Sequence, residues 1–497
     1  MRYRIAVTSA VAALGLGIVG EISGPSWDPV PLTEAIDVTT TDTTIGGSLG
    51  TDAVGTYEVT TEIVTVELAG AVVQARISEP VGAEGLRPGV VFVHGAGTGR
   101  FDEAFLAQAE ALASAGVVAL VPDKRLDTYT TRDRSYVAMA NDYLRSVDYL
   151  RELPDVDPDL VGVYGESEGA WIVPVMAADN PSVAFTVLVA APVRPPREQV
   201  AFAVDSYLRN TEVPPDLFQS VPRLVAMDMP GGGFEWGSFD PQPFQQRMRQ
   251  PLLIVYGTGD AATPTVQGAL QLIDDLTVAG NDQWTVRYYE GANHGIRVNG
   301  VLEPTFARDL AAWVQALPGS AEATPRVAGA EPYQRFVAGP LERLPWYADG
   351  DVLVASLVTS FLALLLGPVL WVIRRVRGRR SPVLSAGVRA PLVTMGAGAA
   401  AAALFTAGYL LLISDMAQNY WKNAFIVQGG WLFVRALAIT SVVAGSVLMF
   451  RVLDGRRIGG KPAARNQAGA WTLVGTVGGS VALWLVLAYW AVFPTLW

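Results

Sequence analysis

Two hydrophobic patterns divide the chain. Between about residues 57 and 318, short β-rich runs alternate with amphipathic stretches. "YEVTTEIVTVE" and "AVVQARIS" read as an initial antiparallel pair. They are followed by "GVVFVH" (89–94), "GVVALV" (116–121), "LVGVYG" (160–165), "FTVLVA" (185–190), "PLLIVYG" (251–257) and "WTVRYYE" (284–290), with helical segments between them. Apolar runs joined by helical crossovers predict an α/β fold, a mostly parallel sheet covered on both faces. The second pattern begins near residue 351. Residues 352–373, 391–414, 431–450 and 471–493 are long apolar stretches, and only the third carries a charge, Arg435. A membrane-crossing helix needs about 20 such residues, so residues 351–497 are expected to form an all-α transmembrane bundle of four helices.

The remaining segments are organised around these two regions. "MRYRIAVTSAVAALGLGIVG" begins with two arginines and continues uncharged, so residues 1–23 read as a signal anchor or a signal peptide. Residues 24–56, rich in Thr, Gly and Asp, read as an irregular spacer, and 319–350 as a linker. The basic connections "RRVRGRR" (374–380) and "RVLDGRRIGGKPAARN" (451–466) belong on the cytoplasmic side by the positive-inside rule, whereas 415–430 has one Lys and one Asp. With four spans, everything before residue 351 is then extracytoplasmic. Arg435 lies about four residues from the outer end of its span and is expected to snorkel to the interface.

Composition agrees with that division. Apolar residues make up 51% of the 497, above the roughly 45–50% of soluble domains. The net charge of −11 coexists with basic inner loops, so the acidity concentrates in the outer domain, which argues against nucleic-acid partners. With no Cys in the chain, disulfides, thiolate metal sites and a cysteine nucleophile are all excluded. No cofactor or metal is called for.

Chemistry concentrates where strands end. "GESEG" (165–169) follows the run 160–164 and precedes a helix-compatible stretch, a strand–elbow–helix pattern that would expose Ser167 as a nucleophile. G-x-S-x-G also occurs at "GGSLG" (46–50), where Ser48 has neither a preceding strand nor a following helix. Asp260 falls just past the strand 251–257, and His294 in the loop after 284–290. Ser167, Asp260, His294 is the chain order of an α/β-hydrolase triad. His294 would take the serine proton, and Asp260 would fix the imidazole tautomer and stabilise the imidazolium. "HGAG" (94–97) after the first parallel strand offers backbone N–H groups to an oxyanion; the donors are assigned to Ala96 and Glu168. His94 reads as structural, beneath that loop.

"PGVVFVHGAGTGR", "GVVALVPDKR", "YLRELPDVDPDLVGVYGESEGAW" and "GTGDAATP…GANHGI" together resemble the α/β-hydrolase superfamily, in particular bacterial serine esterases of the dienelactone-hydrolase and prolyl-oligopeptidase-like kind. The resemblance covers residues 57–318 and implies a serine hydrolase that works through an acyl-enzyme on esters, thioesters or amides. Such esterases often continue Asp-Lys-Arg with Gly; here Leu126 follows. An insertion at about 196–248 would form a helical cap. Its Phe202, Tyr207, Phe218, Phe234, Trp236, Phe239 and Phe244 either line an acyl site or pack the cap onto the domain. The expected function is a membrane-tethered extracytoplasmic hydrolase of acyl esters or thioesters, taking a small-molecule or lipid acyl substrate. An acyltransferase with the same triad, or a non-enzymatic assembly protein, are the alternatives. Protein partners are not legible.

Overall fold

The computed structural model describes residues 2–45, 50–419, 421–459 and 462–495. Ser48, in the second G-x-S-x-G, lies outside the described residues.

In chain order the elements are α1 (Arg2–Ile22), β1 (Val59–Leu68), β2 (Ala71–Pro80), β3 (Arg87–Val93), α2 (Leu106–Ser114), β4 (Val118–Pro122), α3 (Tyr136–Arg151), β5 (Val156–Glu166), α4 (Gly169–Ala177) and β6 (Thr186–Val189). Then come α5 (Pro196–Thr211), α6 (Ser220–Val225), α7 (Gln242–Gln245), β7 (Leu252–Gly257), α8 (Thr265–Ala279), β8 (Trp284–Tyr289), β9 (Arg297–Val298), β10 (Val301–Leu302), α9 (Pro304–Gln315) and β11 (Val327–Gly329). The chain ends with α10 (Gly350–Val376), α11 (Arg389–Gln418), α12 (Gly430–Gly459) and α13 (Gln467–Tyr489).

Nine strands form one sheet in the order β1-β2-β4-β3-β5-β6-β7-β8-β11. β2 runs antiparallel to both β1 and β4, and from β4 to β11 every pairing is parallel. Because side chains alternate across a strand, β3 gives Val91 and Val93 to one face and Val90 and Phe92 to the other. The first face is covered by α3, α4 and α8, the second by α2 and α9. This is the α/β-hydrolase fold, its parallel strands apolar throughout because both faces are buried.

The expected spacer and the expected linker both contribute to this unit. Ile45, in the Thr-rich spacer, is buried in the second core beside α9. β11, inside the expected linker, pairs with β8 as a parallel edge strand, Val327 opposite Val286.

The chain divides into two compact units, one of Pro29–Ala203 and Gly233–Pro340 and one of Met1–Asp28, Val204–Gly232 and Leu341–Trp497. The boundaries cut through the expected cap. Its middle, 204–232, belongs with the long apolar helices, while its last part stays with the sheet.

Among the described residues the second unit holds five helices long and apolar enough to cross a membrane: Arg2–Ile22, Gly350–Val376, Arg389–Gln418, Phe425–Arg457 and Gln467–Tyr489. α10 exposes Val358, Leu362, Leu365, Val369 and Trp371 along its length, an apolar surface of a kind that soluble monomers rarely carry. α13 packs closely on α10 because Gly479 is bare; a Cβ there would sit 2.7 Å from Ser360 O. Residues 204–232 are tied to these helices by polar contacts. Arg435, expected to reach toward the interface, has protein partners. It pairs with Asp216 at 2.9 Å and donates to Val492 O at 3.1 Å. The buried Arg223 lies over the Tyr489 ring and donates to Tyr489 O and Pro25 O.

Candidate active site

The sheet brings the proposed groups to its carboxyl edge. β5 ends at Glu166, and Ser167 turns the chain with φ +56°, a left-handed conformation that non-glycine residues adopt at a cost of about 1–3 kcal/mol. The turn is held by Ser167 N–H donating to Val189 O at 3.0 Å and Ala170 N–H to Ser167 O at 2.9 Å. Gly169 must be glycine here, since a Cβ would collide with Val93 O. Such an elbow presents the serine side chain above the strands, with α4 leading away from it. Among the described residues Ser167 Oγ makes no hydrogen bond, and the residue is partly exposed.

Asp260 follows β7, and His294 lies in the loop after β8. The structure brings these two together: His294 Nδ1 donates to Asp260 Oδ2 at 2.8 Å. The Asp260 side chain is buried, and its other oxygen accepts from Ala262 N–H at 2.8 Å. Burial works against the Asp260 charge, but the His294 charge and hydrogen bond, with Ala262 and Thr263, hold its carboxyl below the ordinary value. For His294, burial acts downward, and the charge and hydrogen bond of Asp260, with the charge of Glu166, overcome it and raise the imidazole to about 9. The structure does not join Ser167 to His294 by a hydrogen bond; in unliganded hydrolases that contact often tightens only with substrate.

Ala96 and Glu168, assigned as oxyanion donors, flank the elbow from two sides. Ala96 is exposed in the loop after β3, and Glu168 N–H lies at the start of α4. Among the described residues neither N–H is engaged by another group, so both remain available to a ligand. His94 is buried, its Nε2 2.8 Å from Pro122 O and its backbone N–H donating to Tyr143 Oη at 3.3 Å. Burial pushes His94 down to about 4, which keeps it neutral and structural.

The side chain of Glu168 does something that sequence reasoning missed. It is 1% exposed and accepts from Lys124 Nζ at 2.9 Å, Tyr129 Oη at 2.8 Å, Tyr136 Oη at 3.4 Å and the Arg134 guanidinium. Lys124 Nζ also donates to Gly95 O at 2.7 Å. One buried ion pair therefore straps the loop carrying Ala96 to the elbow carrying Glu168 N–H. Arg134 is sandwiched between the rings of Tyr129 and Trp236, 4.2 and 3.8 Å from their centroids. The signal in the sequence was "VPDKR", a lysine two residues past the end of a fully buried strand. The other missed residue is Glu166, which accepts from Tyr164 Oη at 3.1 Å and acts electrostatically on His294. Desolvation raises the Glu166 carboxyl above its ordinary range.

The aromatics of the insertion are largely engaged in packing. Trp236 and Phe239 abut Tyr136 at 6.3 and 4.9 Å between centroids, Phe239 stacks on Phe244, and Arg209 covers Phe218.

A family model described as "BAAT / Acyl-CoA thioester hydrolase C terminal" matches residues 143–312. Among solved structures, the chain is similar to a hyperthermophilic esterase from the archaeon Pyrobaculum calidifontis, with 21% identity, TM-score 0.38 and coverage of 52% of this chain and 83% of that one. It is also similar to a putative dienelactone hydrolase from Klebsiella pneumoniae, at 15%, 0.37, 53% and 98%. A putative dipeptidyl aminopeptidase IV from Bacteroides ovatus, at 16% and 0.36, shares 53% of this chain, which spans about a third, 36%, of that protein's length. No curated protein matches the chain. The sheet order, the elbow and the family match together identify an α/β-hydrolase domain.

Proposed function

We propose that this protein is a membrane-tethered, extracytoplasmic serine hydrolase that cleaves acyl esters or thioesters. The observation that carries the reading is the His294–Asp260 hydrogen bond at the same sheet edge as the Ser167 elbow. Ser167 Oγ attacks the acyl carbonyl carbon, and its proton passes to His294 Nε2, while Nδ1–H stays on Asp260. The carbonyl oxygen, now negative, is received by the N–H groups of Ala96 and Glu168. Collapse of the tetrahedral intermediate breaks the bond to the alcohol or thiol, which leaves with the proton from His294. Water then attacks the acyl-serine by the same route in reverse and releases the acid. Preference for thioesters is supported by the description of the matching family model. Placement outside the cytoplasm is supported by the basic loops 374–380 and 451–466, and α1 would be the fifth span.

The test is a fluorophosphonate probe and a ladder of acyl esters, acyl thioesters and amides, with and without acceptor alcohols, on the full chain in detergent. Ser167→Ala should abolish covalent labelling and lower turnover by about 10⁴ or more, because the covalent route closes. Full labelling of a folded Ser167→Ala protein would sink the assignment. Acyl transfer to alcohols in preference to water would make the protein a transferase.

A further inference from the structure

The membrane helices enclose a groove with an unusual mouth. α10, α11 and α13 line a cavity of about 620 Å³, within the range of small-ligand sites. α11 turns Ala397 and Ala400 toward it, side chains too small to fill the space opposite Phe361, Leu365 and Trp371 of α10. One end is rimmed by Arg374, Arg375, Arg379, Arg380 and Arg389. Among the described residues none of these five pairs with a carboxylate; Arg374 donates to Ser381 O and Oγ at 3.3 and 3.0 Å. From 374 to 389 the chain has six arginines and no lysine. Guanidinium groups bind phosphate oxygens in a fork that an ammonium cannot reproduce.

We propose that this groove is a binding site for an anionic glycerophospholipid, its headgroup phosphate held by the arginine rim and one acyl chain lying between α10 and α11. An apolar slot continuous with an uncompensated cationic mouth is complementary to a molecule that is apolar along its length and negative at its end. Neither a free anion nor an uncharged lipid uses both parts. Clusters of four to eight basic residues at the end of a spanning helix attract anionic lipid by about 1 kcal/mol per residue. The positive-inside rule alone would explain basic residues at this membrane face, but not their convergence on a groove. The site rests on the helices lying in a bilayer and is independent of the Ser167 chemistry.

The experiment is native mass spectrometry of the full chain in detergent, titrated with phosphatidylglycerol or phosphatidylcholine of the same acyl composition. The wild type should retain phosphatidylglycerol in preference to phosphatidylcholine. R379Q/R380Q, on an exposed loop, should weaken phosphatidylglycerol binding by roughly thirtyfold, two residues' share of the attraction. R456Q/R457Q removes the same charge from exposed positions on α12 outside the groove and should leave binding unchanged. Ala400→Phe, which fills the slot, should displace the lipid with the arginines intact. Inorganic phosphate should not compete. Equal weakening by both arginine pairs would reduce the effect to general surface charge and overturn the site. So would equal binding of the two lipids, or full displacement by phosphate. Helix content and thermal melting by circular dichroism report folding of each variant, and the wild type's fluorophosphonate labelling is read separately, so failure of the lipid site and failure of the Ser167 assignment remain distinguishable.

Discussion

Glu168→Gln isolates the strap beneath the elbow. The change is nearly isosteric, yet it removes the negative charge that pairs with both Lys124, whose side chain is 1% exposed, and Arg134, at 9%. The glutamine would also turn an amide NH₂ toward donors, leaving at least one of four without an acceptor. Breaking a buried pair from one side costs about 3–5 kcal/mol, which for a domain of this size lowers the thermal midpoint by roughly 6–20 °C. Lys124→Met works differently. Glu168 keeps Arg134, Tyr129 and Tyr136, and the orphan is Gly95 O, worth about 1–3 kcal/mol. The single changes should therefore rank with Glu168→Gln the more damaging. The double variant should cost less than their sum, because removing Lys124 relieves the charge that Glu168→Gln strands. For activity, both loosen the placement of the Ala96 and Glu168 N–H groups. Loss of one oxyanion donor costs about 10²–10³ in kcat, so kcat should fall while KM holds. Tryptophan fluorescence during heating, with ester turnover below the midpoint, measures both effects. A Glu168→Gln midpoint within about 2 °C of wild type, or a Lys124→Met protein less stable than Glu168→Gln, would refute the reasoning.

Two further expectations concern pH and topology. His294 must be neutral to accept the serine proton, and Asp260 and Glu166 raise it to about 9, so kcat/KM should climb with pH through that region, well above the ordinary histidine value of about 6.5. Glu166→Gln removes one raising charge and should move the limb to lower pH; an unmoved limb would deny Glu166 its electrostatic role. The stabilisation from the raised His294 runs the other way: it is fully present below the unfolded value and is lost as pH rises through the folded one, while that from the depressed Asp260 is lost as pH falls through its own folded value. Cysteines at Glu84 and Ser381, both exposed, should differ in labelling by an impermeant thiol reagent on intact cells. Labelling at 381 and not at 84 would invert the topology.

Apolar patterning made most of the sheet legible. The runs at 89–94, 116–121, 160–165, 185–190, 251–257 and 284–290 coincide with β3 to β8 within a few residues, because a strand buried on both faces has no polar position to break the run. The same pattern cannot find β11. "VAG" is too short to carry a period, and only its register against β8 makes it a strand. The order Ser167, Asp260, His294 was readable because each group falls at a strand end, and strand ends are where the fold gathers chemistry. What patterning cannot read is a polar pair between distant segments. Lys124 and Glu168 are 44 residues apart, and each taken alone reads as a solvated charge.

The same limit explains the insertion. Its aromatics suggested an acyl pocket or a packed cap, and both readings treated 196–248 as one piece resting on the sheet. Its division at Val204 and Gly232 follows from charges instead. Asp216 answers Arg435 within α12, Glu212 meets Lys422 at 3.2 Å, and Asp351 at the start of α10 accepts from Gly231 N–H at 2.8 Å. Each is an acid–base or acid–amide match between a segment of the insertion and the segment 341–497 that carries the apolar helices. Arg435, inside the apolar stretch 431–450, needs a partner more than most arginines do, and Asp216 is the group that supplies it. A charge inside a predicted span thus has a tertiary neighbour that patterning does not reveal. Here that neighbour lies on α5 and α6's own stretch of chain, the stretch that leads out of the hydrolase unit.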